Sequence, residues 1–311
     1  MAKNKPTKQH YVPQCYLREF ADPTIPPNKE PSIWIFSKKG KNQRREKIKN
    51  TLASNDLYTL KVHGQKNYVI EETLASLEGK YAAVFRTKIK NRLPLNEEEH
   101  IILCAFVSVM LQRTLRHKDN LEQFYSELIE RAEFIEKAHN LPPKESVRLK
   151  RFKQDAHKLN VFGLLPDITE LLMKMGVAFL CANGSAKFIT SDDPCNLFNP
   201  DLQWQKFYGP GLGQKSVQVT LPLSPDIMLC LSWSNLRGYI GLGNERVNES
   251  NRMIVGHCYR YFVSHSKKTK MIWFFRYPLN PIFLFKVVRR RVRTWIDELR
   301  FRYKFRYVRK R

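Results

Sequence analysis

Asn96-Glu97-Glu98-Glu99-His100-Ile101-Ile102-Leu103-Cys104-Ala105-Phe106-Val107-Ser108-Val109-Met110-Leu111-Gln112-Arg113 is the run around which the rest of this chain is arranged. Asn96 offers a side-chain acceptor to the free N–H groups of a helix start, and Glu99 three residues on can reach back to close a capping box. From Ile101 to Leu111 the helix is apolar nearly all round, so it belongs at the centre of a core and not on a surface. The same stretch is too short to span a bilayer. The helix is expected to run to about Arg116.

On the amino side, Glu71 to Lys90 carries apolar residues at 74, 77, 81, 84, 85 and 89, a helical period. On the carboxyl side three helices are expected, over 118–139, 143–159 and 166–181, with Pro142-Pro143 separating the first two. No period repeats, so no solenoid is implied. Short strands flank this helical middle. Before it come 32–36, 56–60 and 67–69, with a proline-rich loop over 22–31 and a basic turn from Lys38 to Lys49. After it come strands over 186–190, 217–221 and 227–231, a helix over 244–255, and strands over 259–263 and 271–275. Leu221-Pro222-Leu223-Ser224-Pro225 reads as strand, bend, strand, and Gly209 to Gly213 as a loop. The expected class is α+β: a central helical region between strand-rich N- and C-terminal parts that share a sheet. The expected organisation is a disordered basic start over 1–9, one domain over 10–280, and a basic, aromatic C-terminal extension over 281–311.

The charge is the second strong signal. There are 54 basic and 29 acidic residues, a net charge of +25. So large an imbalance repels itself without a counter-charge and points to a polyanionic partner, nucleic acid first and an anionic membrane surface second. It is densest in the final 26 residues, where Val288, Val292, Trp295, Ile296 and Leu299 form a helical stripe and aromatic residues then alternate with basic ones. Arg289, Arg290, Arg291, Arg293, Arg302, Lys304 and Arg306 are the candidate nucleic-acid contacts there, with rings available for stacking. The same features suit an anionic membrane, or a packed helix with solvated arginines. Six scattered cysteines with no Cys-x-x-Cys argue against a zinc ribbon or redox motif. Reduced thiols and no apolar leader fit a cytoplasmic protein.

Several polar residues lie where apolar ones are expected. Glu78 sits on the apolar face of its helix among Leu74, Leu77 and Tyr81, so it must pair, hold a metal or shift its pKa. Gln112 and Arg113 follow the all-apolar helix, and a buried Arg113 needs Glu78 or Asp192. Thr190-Ser191-Asp192-Asp193-Pro194 places hydroxyls and carboxylates at a strand end, as a divalent-cation site or as an Asx-type turn. Cys104 and Cys181 read as small buried hydrophobes. Asn248 and Asn251, three apart on a helix, could bond one ligand or simply solvate it. His10 lies in His10-Tyr11-Val12-Pro13-Gln14-Cys15-Tyr16-Leu17-Arg18, a segment whose composition suits docking into a fold. No phosphate-binding Gly-x-x-x-x-Gly-Lys-Ser/Thr loop, no Gly-x-Ser-x-Gly and no His-Glu-x-x-His occurs, and no dinucleotide partner is expected.

In order and spacing these segments resemble a mostly bacterial family, domain of unknown function 4238. The resemblance rests on His10-Tyr-Val-Pro-Gln14-x-Tyr-Leu-Arg18-x-Phe20, Leu77-Glu78, Gln112-Arg113-Thr114, Ile189-Thr190-Ser191-Asp192-x-Pro194, Pro222-Leu223-Ser224-Pro225 and Asn251, roughly residues 10–275. Cys15 stands where a bulkier aromatic is usual and Asp193 where asparagine is usual. The resemblance implies a fold and a set of recurring polar residues, not a reaction.

The leading functional expectation is a metal-assisted, nuclease-like hydrolase acting on nucleic acid. Glu78 and Asp192 would hold magnesium or manganese and His10 would be base or ligand. Arg113, with Gln112 beside it, would stabilise phosphate charge. The alternatives are a non-enzymatic nucleic-acid-binding protein whose polar cluster is a structural network, and a peripheral membrane protein held by its tail.

Overall fold

A computed structural model describes residues 8–40, 42–62, 65–199 and 210–275. The chain divides into two units, Met1–Trp273 and Phe274–Arg311, and the elements below belong to the first. Its amino part holds β1 (Lys8–His10), α1 (Gln14–Leu17), β2 (Ser32–Ser37), β3 (Arg44–Lys47), β4 (Ala53–Asn55), β5 (Leu60–Val62) and β6 (Gln65–Asn67). The helical middle holds α2 (Val69–Val84), α3 (Glu97–Gln112), α4 (Leu115–Ala138), α5 (Lys144–Gly163) and α6 (Leu165–Met173). The carboxyl part holds β7 (Gly176–Ala182), β8 (Thr190–Ser191), β9 (Asn196–Phe198), β10 (Gln218–Pro222), β11 (Ile227–Ser232), β12 (Gly238–Leu242), α7 (Asn244–His257) and β13 (Tyr261–Ser264).

The central helix starts as its sequence dictates. Asn96 accepts from the Glu99 N–H and the Glu99 carboxylate accepts from the Asn96 N–H, each at 2.8 Å. Leu103, Cys104, Phe106, Val107, Val109 and Met110 are buried. Phe106 meets the Tyr81 ring of α2 face to face, with centroids 3.6 Å apart.

The two ends of the unit share a sheet, in the order β3-β2-β13-β8. β2 and β13 run antiparallel with Phe36 opposite Phe262, their rings stacked at 4.8 Å. Alternation along the strands divides the faces. Ile33, Ile35 and Val263 join the core that contains α3, whereas Phe36 and Phe262 join a smaller cluster with Ile254, Val255 and Trp273. A second sheet runs β12-β7-β11-β10-β9, with Cys181 and Cys230 buried in it.

Several sequence expectations need correction, among them the strand expected over 56–60, of which only Leu60 is in a strand. The helix expected over 166–181 ends at Met173, and Gly176–Ala182 is a strand paired with both β11 and β12. A strand that is apolar on both faces has no period-two alternation, so its apolar run reads like a buried helix. A Cβ on Gly176 would lie 2.6 Å from the Ser234 carbonyl oxygen, and this close approach is where the strand begins. Residues 271–274 form a single 3-10 turn, not a strand. Of 186–190 only Thr190 enters a ladder, because backbone groups nearer the start are satisfied by α7 side chains. Asn244 accepts from the Ala186 N–H at 2.8 Å, while Asn251 accepts from Ile189 N–H at 3.1 Å and donates to the Lys187 carbonyl at 2.8 Å. Asn251 thus acts as a substitute strand partner. Finally, Lys8 and Gln9 are not part of a disordered start: they pair with β4. Residues 1–7 and the extension over 281–311 lie outside the described residues.

Candidate functional site

The centre of the polar cluster is Arg113, the residue that closes α3 just before Thr114 caps α4. Its guanidinium is 3% exposed. One terminal nitrogen bonds the Glu78 carboxylate at 2.7 Å and the other donates to the His10 carbonyl oxygen. The Arg113 carbonyl accepts from the Tyr58 hydroxyl at 2.9 Å. The Tyr58 ring centroid lies 5.6 Å from the guanidinium carbon. One cation therefore ties α2, α3, β1 and the segment before β5 together. Of the two candidates for its partner, Glu78 is the one used, and Glu78 stays 23% exposed.

β1 reaches this position through local geometry. Leu52 takes a left-handed backbone conformation, φ 51°, and its carbonyl accepts from the Tyr11 N–H at 3.0 Å. Gln9, buried beneath the strand, accepts from the Tyr58 N–H at 2.5 Å and donates to Thr59 at 2.9 Å and Glu71 at 3.0 Å. His10 is half-buried. Its Nε2 lies 3.3 Å from the Ile48 carbonyl and its Nδ1 3.5 Å from the Gln14 amide, so the geometry fits a neutral ring with the proton on Nε2. Burial lowers its pKa, the Ile48 carbonyl and Glu78 pull the other way, and Arg113 adds to the lowering.

Gln112 does not join this cluster. Its amide turns back along α3 to the Ser108 carbonyl at 3.2 Å and hydroxyl at 3.3 Å, leaving its own carbonyl oxygen buried and unbonded. Beside it His157 of α5 lies against Tyr58, ring centroids 5.9 Å apart. Burial brings the His157 pKa down to about 4, with His117 and Lys118 adding to the effect.

Asp192 belongs to a second cluster. One carboxylate oxygen accepts from the Tyr259 N–H at 2.8 Å, the other from Arg260 N–H at 2.7 Å and Tyr261 N–H at 2.9 Å. This carboxylate fastens the start of β13 to the strand end that carries β8. Burial raises its pKa, and the three N–H groups offset that only in part. Next to it Asp193 pairs with Arg116 at 2.6 Å and His257 at 3.1 Å. Arg116 and Arg260 both flank the Tyr259 ring, at 5.4 and 4.9 Å.

Of the expected site residues, then, His10, Glu78 and Arg113 come together, while Gln112 and Asp192 are engaged elsewhere. Among the described residues no group of three His, Cys, Asp or Glu side chains is arranged to hold a metal ion. The expected contacts Arg289, Arg290, Arg291, Arg293, Arg302, Lys304 and Arg306 lie outside the described residues. Asn248 and Asn251 share no open site. Asn248 donates to the Asn244 carbonyl and accepts from the Trp273 indole.

A family model described as a protein of unknown function, DUF4238, matches residues 8–268. The chain belongs to that family. The DUF4238 region starts with the first residue of β1 and ends just beyond β13, so it takes in all four strands of the shared sheet. No curated protein and no solved structure matches. No helix among the described residues is long and apolar enough to cross a membrane, and the six cysteines are free thiols.

Sequence reasoning missed Gln9, Tyr58, Arg116 and His257. Gln9 was hidden by its basic neighbours, and only its adjacency to the apolar run from Tyr11 hinted at burial. Tyr58 stood in an expected strand with nothing to mark its hydroxyl. Arg116 sits three residues after Arg113 and could have been paired with the second of the two adjacent aspartates.

Proposed function

We propose that this DUF4238 protein binds nucleic acid without turning it over, and that its polar cluster is a structural network. The observation that carries this reading is the direction in which the carboxylates of these clusters and their partners point. Glu78 meets Arg113, Asp192 meets three backbone N–H groups, and Asp193 meets Arg116 and His257. Groups so engaged hold elements in register. They also leave the net charge of +25 to be balanced from outside the fold, and a phosphate backbone is the polyanion best suited to a chain this rich in arginine and aromatic residues.

One observation favours metal-assisted hydrolysis as a second reading: the partly exposed Glu78 lies close to a His10 ring whose pKa is lowered, a neutral base at pH 7. One experiment separates the two. Full-length protein is titrated into end-labelled single-stranded DNA and RNA across a salt series, with magnesium or manganese present, and the products are resolved on a denaturing gel. Affinity that falls steeply with salt and leaves the strands intact supports binding without turnover. Metal-dependent cleavage that Glu78→Gln abolishes supports the hydrolase. No binding to either strand at any salt concentration, and no cleavage, overturns both.

A further inference from the structure

Strand pairing concentrates basic residues around β2 of the shared sheet. The hairpin segment 38–49 has Glu46 as its single acidic residue, and the segment from Arg260 to Lys270 has none. Pairing of β3 with β2 and of β2 with β13 brings these two segments to the two sides of β2. Trp34, midway along β2, is the point where they meet. It lies opposite Arg45 in β3 and Ser264 in β13.

The environment of Trp34 is built and not incidental. Its indole N–H donates to the buried Asp22 carboxylate at 2.9 Å. Asp22 is itself fixed by the Thr24 N–H at 3.0 Å and hydroxyl at 2.7 Å. The ring is half-buried, and two cations flank it: Arg45 at 5.8 Å and Lys267 at 5.7 Å from its centroid. Arg45 is also 3.6 Å from Asp22 while remaining 50% exposed. Arg44, which pairs with Ile35, lies 5.2 Å from the Tyr261 ring on the opposite face and is not part of this patch. A single carboxylate, mostly occupied by neutral donors, faces two cations at Trp34. The patch keeps net positive charge next to an oriented aromatic ring.

We propose that the Trp34 face of this sheet is the nucleic-acid contact surface of the folded unit, with Trp34 as a stacking platform for an unpaired base and Arg45 and Lys267 as phosphate contacts on either side. The proposal rests on the nucleic-acid reading and gives it a location within residues 8–275, separate from the C-terminal tail. Single strands fit better than duplex, since a ring lying in a strand presents a stacking surface, whereas no helix of this patch is presented to a groove. A membrane fits less well: the ring is held in place by a hydrogen bond to a carboxylate and does not project as an apolar tip.

The test uses the full chain, an end-labelled oligo(dT) and fluorescence anisotropy across a salt series, with thermal melts as the folding check. The double variant Arg45→Gln/Lys267→Gln is expected to melt as the wild type does and to lose about 1.4 from the slope of log affinity against log salt, near 0.7 per phosphate contact on a single strand. Trp34→Leu is expected to weaken binding about tenfold or more through lost stacking. A tail variant, Arg289→Gln/Arg291→Gln/Arg293→Gln, is run beside them. If the wild type binds and only the tail variant loses affinity, this inference is overturned while the nucleic-acid reading stands. If the wild type binds no oligonucleotide, the reading itself fails. Binding to vesicles containing phosphatidylserine but not to oligo(dT) overturns both in favour of a membrane partner.

Discussion

The Arg113 cluster and the Asp192 cluster make an instructive pair. Each places a charge in a buried setting, and each ties distant parts of the chain together. Arg113 is held by a carboxylate, a carbonyl and a ring from three different elements, with its Nε buried and unbonded. Asp192 is satisfied by three consecutive N–H groups of one segment. The first therefore depends on another charged side chain, and the second depends on backbone that is present whatever the sequence. The exposure differs too: Glu78 touches water, whereas Asp192 is buried.

That contrast can be broken by substitution. Glu78→Ala is expected to have the largest effect, because it leaves Arg113 charged, buried and without its counter-ion, a loss of about 4 kcal/mol. Arg113→Met removes the charge itself and leaves a carboxylate that can hydrate, so the loss is expected to be about half of that. Urea denaturation of the two variants checks the asymmetry, and equal losses would show that the pair behaves as one symmetric unit. Asp192→Ala strands three backbone N–H groups and is expected to cost about 3 kcal/mol. Hydrogen exchange should show the loosening confined first to the start of β13.

A pH titration sharpens the same comparison. His157 has a folded pKa of about 4 against an ordinary 6.5. The unfolded chain holds the proton where the folded chain releases it, so the stability is full above pH 6.5 and is lost as pH falls towards 4. His157→Phe, which keeps a ring against Tyr58, is expected to flatten that acid limb by about 2 kcal/mol at pH 5. Arg45→Gln lies on the surface and is expected to change stability by less than about 0.5 kcal/mol, measured by the same melts.

The sequence revealed the centre of this fold better than its edges. The capping box at Asn96 and Glu99, the buried helix after it and the sheet shared by the two ends all follow from local pattern. The Gly176–Ala182 strand did not, because a strand apolar on both faces carries no alternation. The stretch 186–189 did not either, since its partners are asparagine side chains on α7 and not another strand. At the site, the need of Arg113 for a carboxylate was readable from burial alone. The role of Asp192 was not. A carboxylate at a strand end looks the same in sequence whether it faces a cation or three N–H groups, and only its distance to Tyr259–Tyr261 separates them.

The most direct measurement joins stability to binding in one variant. Glu78→Gln is melted and is also titrated with single-stranded oligonucleotide at a temperature where it remains folded. The expected result is a lowered Tm with wild-type affinity and wild-type salt dependence, and intact strands in both proteins with magnesium or manganese present. An unchanged Tm together with loss of a metal-dependent cleavage seen in the wild type would contradict the structural role assigned to the cluster.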